Sequence, residues 1–185
     1  MFFYYYLKNP KQVGALCSSS KKLRKTIIDN IGLENVKNIV EIGPGTGAFT
    51  EVILQKKHKD AKFFAIEIND QMAQKLSKKY ENLDLQIGNA ENLEYFLHQR
   101  AMSNVDIVVS GIPWALLKNH EQEKLLKTIY KNLSKGGYFT TFAYLIPSLS
   151  GKAFRLKIFE LFSEVKISKI VWQNIPPAIV YYCKK

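Results

Sequence analysis

The segment from residue 38 to residue 54, NIVEIGPGTGAFTEVIL, restricts the fold of this chain more than any other. An apolar run rich in β-branched residues leads into Gly43, Gly45 and Gly47, and an amphipathic segment follows. Because glycine has no Cβ, such a turn can be tight and a ligand can approach its main-chain amides. The segment therefore predicts a buried strand, a ligand-binding turn and a helix, in that order.

Strand and helix patterns alternate along the rest of the chain. Strand patterns lie at 37–42, 62–68, 83–87, 105–110 and 138–145, and helical patterns at 47–57, 70–80, 90–99, 120–133 and 152–162. The helix at 120–133 is expected to stop at Gly136 and Gly137. This alternation predicts a Rossmann-like α/β fold, with a mostly parallel sheet and helices on both faces.

The end of the chain departs from that rhythm. Strand patterns at 164–172 and 178–183 are separated only by QNIPP. This connection is too short for a parallel crossover, so the two strands are expected to form an antiparallel hairpin at the end of the sheet.

The length of the chain indicates how many domains it forms, and its charge indicates which kinds of partner it suits. A chain of 185 residues fits one domain, 1–185, with an N-terminal cap or membrane-contact segment at 1–34 and a catalytic core at 35–185. The formal charge of +11 suits a polyanionic partner, either nucleic acid or an anionic membrane, and also serves solubility alone.

The cellular setting follows from what the sequence lacks. No apolar run is long enough to cross a bilayer, and the start, MFFYYYLKNPK, does not read as a signal peptide. Cys17 and Cys183 form no C-x-x-C pair, which favours a reducing compartment. We therefore expect a cytoplasmic protein, peripherally associated with the inner face of the membrane, and predict no metal site.

Two carboxylates narrow the choice of ligand. Glu41 precedes the glycines in the pattern E-x-G-x-G-x-G, and Glu67 follows Gly47 by 20 residues, at the end of the second strand. A carboxylate at that distance can bind both hydroxyls of a ribose. Ala48 is a permitted variant of the dinucleotide fingerprint, so the turn alone is weak evidence, whereas the missing Walker lysine makes phosphate-loop chemistry unlikely.

Together these residues resemble class I S-adenosylmethionine-dependent methyltransferases, whose sheet also ends in an antiparallel hairpin. The resemblance implies that Glu41 faces the amino group of the cofactor's methionine, directly or through water, and that Glu67 holds the ribose hydroxyls. Further cofactor contacts implied by it are Ser18, Ser19, Gly43, Pro44, Gly45, Gly47, Ile68, Asn89, Ala90 and Ser110. Asn89 stands where an aspartate is commoner, and its side-chain oxygen can still accept a hydrogen bond from the adenine amino group.

A closer resemblance extends along nearly the whole chain. The stretches FYYYLKNPKQVGALCSSSKKL, VVSGIPW, TTFAYLIPSLS and VWQNIPPAIVYY resemble the soluble bacterial phospholipid N-methyltransferases. That family methylates the head-group nitrogen of phosphatidylethanolamine toward phosphatidylcholine, and close relatives methylate other aminolipids such as ornithine lipid. The resemblance thus implies an aminolipid substrate, with phosphatidylethanolamine first.

The chemistry requires an amine that has lost a proton. A primary amine with a pKa near the lysine value of about 10.4 is mostly protonated at neutral pH. No histidine is well placed as a base, so positioning by the turn Ser110, Gly111 and Ile112, and by Tyr144, is expected to provide most of the catalysis. The predicted substrate contacts are the aromatic residues Tyr6, Trp114 and Tyr144, although core packing is at least as good an explanation for Trp114.

The N-terminal region suggests how a lipid is reached. Aromatic residues favour the head-group boundary, and the predicted membrane contacts are Phe2, Phe3, Tyr4, Lys21, Lys22 and Lys25. The lysines lie on a predicted helix, capped by Ser19 or Ser20, whose apolar stripe is Leu23, Ile27 and Ile31. The alternative is a helix that only closes the cofactor pocket.

A second class of function is also considered. SGIPW resembles, more loosely, the turn of ribosomal RNA adenine dimethyltransferases, and the charge of +11 would suit RNA. However, Ser110 and Trp114 replace the asparagine and tyrosine of that turn, and the chain has no room after Phe162 for a helical RNA-binding domain. Nucleic acid is therefore the less favoured partner.

Overall fold

The computed structural model describes residues 19–185 and contains one seven-stranded sheet within that range. The strands are β1 Asn38–Ile42, β2 Lys62–Glu67, β3 Asp84–Ile87, β4 Val105–Ser110, β5 Leu133–Tyr144, β6 Glu164–Ile167 and β7 Ala178–Lys184. The α-helices are α1 Lys21–Thr26, α2 Ala48–Lys56, α3 Asp70–Lys79, α4 Leu93–Gln99, α5 Asn119–Asn132 and α6 Leu149–Leu161. Single 3₁₀ turns form at Leu33–Asn35, Ala90–Asn92 and Trp114–Leu116.

The order of the strands confirms the predicted architecture. The sheet runs β3-β2-β1-β4-β5-β7-β6. Strands β1 to β5 pair in parallel, whereas β7 pairs antiparallel with both β5 and β6. The order reverses between β1 and β4, and in open parallel sheets a ligand binds outside the carboxyl ends of the strands at such a switch point.

The central strands are buried on both faces. Ile39 of β1 belongs to a core cluster with α1 and α2, whereas Val40 belongs to a second cluster with α4, α5 and α6. A parallel strand covered on both sides by helices needs such a continuous apolar run, which is why IVEI and DIVV were recognisable in the sequence. None of the helices within residues 19–185 has the length and hydropathy needed to span a bilayer.

The structure corrects several predicted boundaries. Helix α5 ends at Asn132, and β5 begins at once at Leu133, five residues before the predicted strand. The register of the pairing between β5 and β4 shifts near the start of β5. Val105 pairs with Leu133, whereas Ile107, two residues later, pairs with Tyr138. A hydrogen bond of 2.8 Å from the Ser134 hydroxyl to Asp106 joins the two strands at this register shift.

Three further elements differ in length from the expectation. Helix α6 starts at Leu149 because the Ser148 hydroxyl caps it, accepting a hydrogen bond from the Gly151 amide at 3.0 Å. Helix α1, capped by Ser20, has only 6 residues, although the predicted stripe of Leu23, Ile27 and Ile31 is buried. Strand β6 ends at Ile167, and only an isolated bridge at Val171 continues the pairing.

Two turns at the carboxyl edge of the sheet touch each other through their main chains. A Cβ on Gly111 would lie 2.4 Å from the carbonyl oxygen of Gly43, a distance that no side chain can occupy. The Gly111 amide also donates a hydrogen bond of 2.8 Å to the carbonyl of Ile42. The turn after β4 is therefore locked against the turn after β1.

This contact predicts a specific effect of Gly111→Ala. The added methyl group must push the two turns apart, and overpacking of this kind typically costs about 1–3 kcal/mol of unfolding free energy. We expect a lower melting temperature and weaker binding of S-adenosylhomocysteine, measured by thermal shift with and without the ligand.

Gly136→Ala is the matched control. Gly136 has φ of +78°, but a Cβ there meets nothing within 4 Å. The substitution should cost about 1–2 kcal/mol through backbone strain alone and leave ligand affinity unchanged, because Gly136 lies at the opposite edge of the sheet. Equal ligand affinity in both variants would show that the contact of the two turns does not shape the site.

Candidate active site

A cavity of about 800 Å³ lies at the carboxyl edge of the sheet, where the strand order reverses. Its lining comes from the turns after β1, β2, β3, β4 and β5, with contributions from α5 and α6. The predicted cofactor residues that line it are Ser19, Gly43, Pro44, Gly45, Glu67, Ile68, Asn89 and Ala90. The predicted catalytic residues Gly111, Ile112 and Tyr144 line the same cavity, together with Trp114.

The glycines of the first turn have different roles. A Cβ on Gly45 (φ +54°) would make only an ordinary contact with the Met72 side chain at 3.8 Å, and Gly45 lines the cavity, so its main chain is open to a ligand. A Cβ on Gly47 (φ +80°) would lie 2.7 Å from both Leu76 and Tyr80. Gly47 therefore serves the packing of α3 rather than the approach of a ligand, which differs from the role implied by the resemblance.

Glu67 is held at the cavity wall by main-chain amides. Its two carboxylate oxygens accept hydrogen bonds from the amides of Gly45, at 3.1 Å, and Asn69, at 3.0 Å. Burial raises the pKa of this carboxyl group above its ordinary value, and the amide hydrogen bonds oppose the rise. The Ile68 amide also hydrogen-bonds this group, so of the about four acceptor positions of a carboxylate at least one remains for a ribose hydroxyl.

Glu41 lies beneath the turn and is completely buried. One carboxylate oxygen accepts a hydrogen bond from the Thr50 hydroxyl at 2.6 Å, whereas the other, Oε1, has no partner among the described residues. Desolvation raises the pKa of Glu41 to about 8, and the charge of Glu67 adds to the rise. An unpartnered buried acceptor is costly, so this site fits a ligand that brings a positive charge or a donor.

Ile68 and Asn89, the residues predicted to contact the adenine, both line the cavity. Ile68 is 39% exposed and lines the cavity, which suits packing against a flat ring. The side chain of Asn89 caps the 3₁₀ turn that follows it, accepting a hydrogen bond from the Glu91 amide at 2.9 Å. One acceptor position of the Asn89 oxygen is thus already used, and a second remains for an adenine amino group.

The turn after β4 is rigid. The buried Ser110 hydroxyl accepts hydrogen bonds from the indole N–H of Trp114, at 3.1 Å, and from the Ile112 amide, at 3.3 Å. The Trp114 ring is 2% exposed and stacks on Phe154 at 4.7 Å. Trp114 is thus mainly a core residue that fixes the turn, the alternative already open from the sequence, and Ser110 positions the turn rather than reaching into the cavity.

Several cavity residues were not recognised from the sequence. Thr46, Asn69, Met72 and Glu91 follow recognised motifs and could have been found by their proximity to them. Leu117, Leu125, Ile146 and Phe154 contribute apolar side chains to the lining, and Glu121 contributes a carboxylate. These residues look like ordinary core positions in the sequence, because only tertiary packing brings their helices to the site.

Some predicted residues fall outside residues 19–185, namely Phe2, Phe3, Tyr4, Tyr6 and Ser18. The described lysines Lys21, Lys22 and Lys25 are exposed, pointing away from the buried stripe of α1. Their predicted contact with a membrane stays a prediction.

Comparison with known proteins gives the family. Residues 39–137 match the family model described as a methyltransferase domain. The chain belongs to the methyltransferase domain family. This match confirms the predicted fold, the predicted enzyme class and S-adenosylmethionine as the cofactor of this methyltransferase.

Relatives and solved structures support the same assignment. The ornithine lipid N-methyltransferase of Singulisphaera acidiphila is 29% identical, over 100% of this chain and 94% of that protein. The ribosomal RNA small subunit methyltransferase A of Mesomycoplasma hyopneumoniae is 30% identical over 68% of this chain, but only 44% of that protein is covered. The O-methyltransferase of Bacillus cereus, solved with SAH, has a TM-score of 0.68 at 11% identity, covering 97% of this chain and 90% of that one, and shows the shared fold.

Glu41→Gln should separate stability from binding in the methyltransferase. The folded protein keeps a proton on Glu41 up to about pH 8, whereas the unfolded chain loses it near 4.5, so the free energy of unfolding falls as the pH rises between these values. The variant removes this loss. It should be more stable than the parent at pH 8 and equal at pH 4.5, and should bind S-adenosylhomocysteine more weakly.

Denaturant titrations at the two pH values, with calorimetry of the ligand, check this prediction. A variant that binds the ligand as tightly as the parent would show that Glu41 only supports the fold.

Glu67→Ala should weaken cofactor binding. Loss of a charge-assisted hydrogen bond to the ribose corresponds to about 1.5–3 kcal/mol, or roughly 10- to 150-fold in affinity. Glu51→Ala, which removes an ion pair of 3.0 Å with Arg24, is the control and should bind normally. An unchanged Kd for the Glu67 variant in calorimetry would rule out its contact with the ribose.

Proposed function

We propose that this methyltransferase transfers a methyl group to the amine of an aminolipid head group. The observation that carries the proposal is the charge of the cavity. The charged residues among its described lining are Glu67, Glu91 and Glu121, and no lysine, arginine or histidine of the described chain joins them. A cavity lined by carboxylates favours a cationic amine over a phosphate, although the protein as a whole carries a charge of +11.

The carboxylates are not equivalent. Glu91 pairs with Lys124 at 2.6 Å and Glu121 accepts a hydrogen bond from the Lys118 amide at 2.7 Å, so both are held in place. Glu121 lies on the side of the apolar residues Leu117 and Leu125. This part of the cavity could receive an ammonium group together with the first carbons of a lipid.

The reaction needs little from the protein beyond orientation. S-adenosylmethionine, when bound, supplies an electrophilic methyl group to a nitrogen lone pair. Gly111, Ile112 and Tyr144 all line the cavity, and their main-chain carbonyls and hydroxyl group can accept hydrogen bonds from the amine and hold its lone pair in line, while the proton of the ammonium form is released to water. The rigid Ser110–Trp114 contact keeps that turn in place.

The similarity along the full chain supports a lipid acceptor. The relative from Singulisphaera acidiphila, named as an ornithine lipid N-methyltransferase, aligns over 100% of this chain. Ornithine lipid is therefore the first acceptor to test, and phosphatidylethanolamine, favoured by the sequence motifs, is the second. Both present an amine on a lipid head group.

Ribosomal RNA is the second candidate, and the similarity to ribosomal RNA methyltransferase A supports it. The chain spans about half of those relatives or less, from 41% to 56% of their length. The acidic lining of the cavity argues against a nucleic acid, whose phosphates require basic contacts.

Radiolabelled methyl transfer distinguishes these acceptors. The protein is incubated with labelled S-adenosylmethionine and, separately, with ornithine lipid, phosphatidylethanolamine and small-subunit ribosomal RNA. We expect label in an aminolipid and none in RNA. Label in RNA with both lipids unlabelled would overturn the proposal.

Tyr144→Phe should lower turnover on the aminolipid about 10- to 100-fold and leave cofactor affinity unchanged, if its hydroxyl orients the head group. The residue is half-buried at the cavity wall, with its ring against Phe142 at 5.2 Å, so the phenylalanine ring can keep the same packing. Tyr138→Phe, six residues earlier on the same strand and not among the cavity residues, is the control. Full activity of the Tyr144 variant would remove the hydroxyl from the mechanism.

A further inference from the structure

Large apolar side chains lie in solvent on two segments, one of which contributes to the wall of the cavity. Leu145, Ile146 and Leu149 are 42%, 60% and 86% exposed, and Trp172 and Ile175 are 67% and 83% exposed. We call these five residues the apolar rim. Ile146 itself lines the cavity, so the rim begins where the cavity opens.

The two segments of the rim are fastened to each other. The Leu145 amide donates a hydrogen bond of 2.8 Å to the carbonyl of Pro177, next to the pairing of Tyr144 with Ala178. Asn174, which is 1% exposed, holds the second segment in its bend by accepting from the Ser20 amide at 2.9 Å and donating to the Pro176 carbonyl at 2.8 Å. The rim is therefore part of one ordered surface rather than two separate loops.

Helix α6 extends this surface. Phe154 and Ile158 face the core, at 2% and 0% exposure. On the outer side, Leu156 and Phe159 are 71% and 48% exposed and follow Leu149 at helical spacing. An outer face with this many apolar residues is unusual for a helix in water and marks an interaction surface.

The charges around the rim have one sign. No acidic residue occurs between positions 145 and 159 or between 168 and 177, whereas Lys152, Arg155, Lys157 and Lys169 lie there. Lys152 and Lys169 are exposed and form no ion pair with any residue in the range 19–185. The bond from Ser20 to Asn174 brings the start of α1, with Lys21 and Lys22, to the same region.

We infer that the apolar rim is a membrane-docking surface that inserts Trp172, Ile175 and Leu149 into the head-group region of an anionic bilayer. Exposed apolar side chains flanked by lysines match an anionic bilayer, whose interior is apolar and whose head groups carry negative charge. The docked protein would place the open mouth of the cavity at the level of lipid head groups. The proposed function explains why the protein would dock on a membrane. The evidence for the surface itself does not depend on which acceptor is methylated.

Other occupants of the rim make different predictions. A second copy of the chain would bury Trp172 in a dimer without lipid. A cover formed by residues 1–18 would also shield Trp172 before any lipid is added. Neither occupant explains why all the charged residues at 145–159 and 168–177 are positive, as an anionic surface does.

The chain carries a natural probe of this surface. It has 2 tryptophans, of which Trp172 is 67% exposed and Trp114 is 2% exposed. The full chain is titrated with phosphatidylcholine vesicles containing about 30% phosphatidylglycerol, and tryptophan emission is recorded. We expect a blue shift and quenching by lipids brominated near the glycerol backbone, both absent in Trp172→Phe, whose emission comes from Trp114 alone.

Variants separate the apolar and the electrostatic contributions. Leu149→Ser with Ile175→Ser should reduce partitioning into these vesicles by about tenfold or more, through lost apolar burial. Lys152→Glu with Lys169→Glu should reduce it roughly fivefold or more per lysine, and only when phosphatidylglycerol is present. Tyr95→Ser is the matched control, since Tyr95 is 61% exposed on α4, and should partition as the parent does.

The outcomes keep this inference apart from the proposed function. Methyl transfer to aminolipid dispersed in detergent micelles should be unchanged in the Leu149/Ile175 variant, because neither residue lines the cavity. Insertion of Trp172 without methylation of any lipid would contradict the proposed function but would support the docking surface. Vesicle binding with unquenched Trp172, or Trp172 emission already blue-shifted without lipid, would overturn the docking surface.

Discussion

The close contact between Gly43 and Gly111 is the constraint on which the rest of the site depends. It brings the turns after β1 and β4 together at the point where the strand order reverses, with only main-chain atoms between them. Around this contact, the Gly45 amide holds Glu67 on one side, and the indole of Trp114 holds Ser110 on the other. Cofactor and acceptor can therefore be placed on either side of one rigid junction.

The protein separates its charges between interior and surface. The charged residues that line its mostly apolar cavity are all carboxylates, with the protonated Glu41 beneath, whereas the surplus of lysine lies outside. The acidic interior suits a sulfonium cofactor and an amine acceptor, and the basic exterior suits an anionic surface. The net charge of +11 therefore says little about the substrate, because the choice of substrate depends on the charges that line the cavity.

The fold was accessible from the sequence because local patterns determine most of its elements. Buried strands such as β1 and β4 appear as apolar runs, and the short QNIPP connection requires an antiparallel hairpin. Glu41 and Glu67 were found by their spacing from the glycines. The start of β5, the packing role of Gly47 and the apolar wall with Leu125 and Phe154 were missed, because each results from contacts between residues far apart in the chain.

Proton-linked binding of S-adenosylhomocysteine tests the central claim most directly, namely that Glu41 stays neutral until a cationic ligand arrives above it. Calorimetric titrations at pH 7 in buffers of different ionisation enthalpy measure the protons released on binding. With the pKa of Glu41 at about 8 in the free protein, the account predicts release of most of one proton, which is lost in Glu41→Gln. Binding with no dependence on the buffer would contradict it.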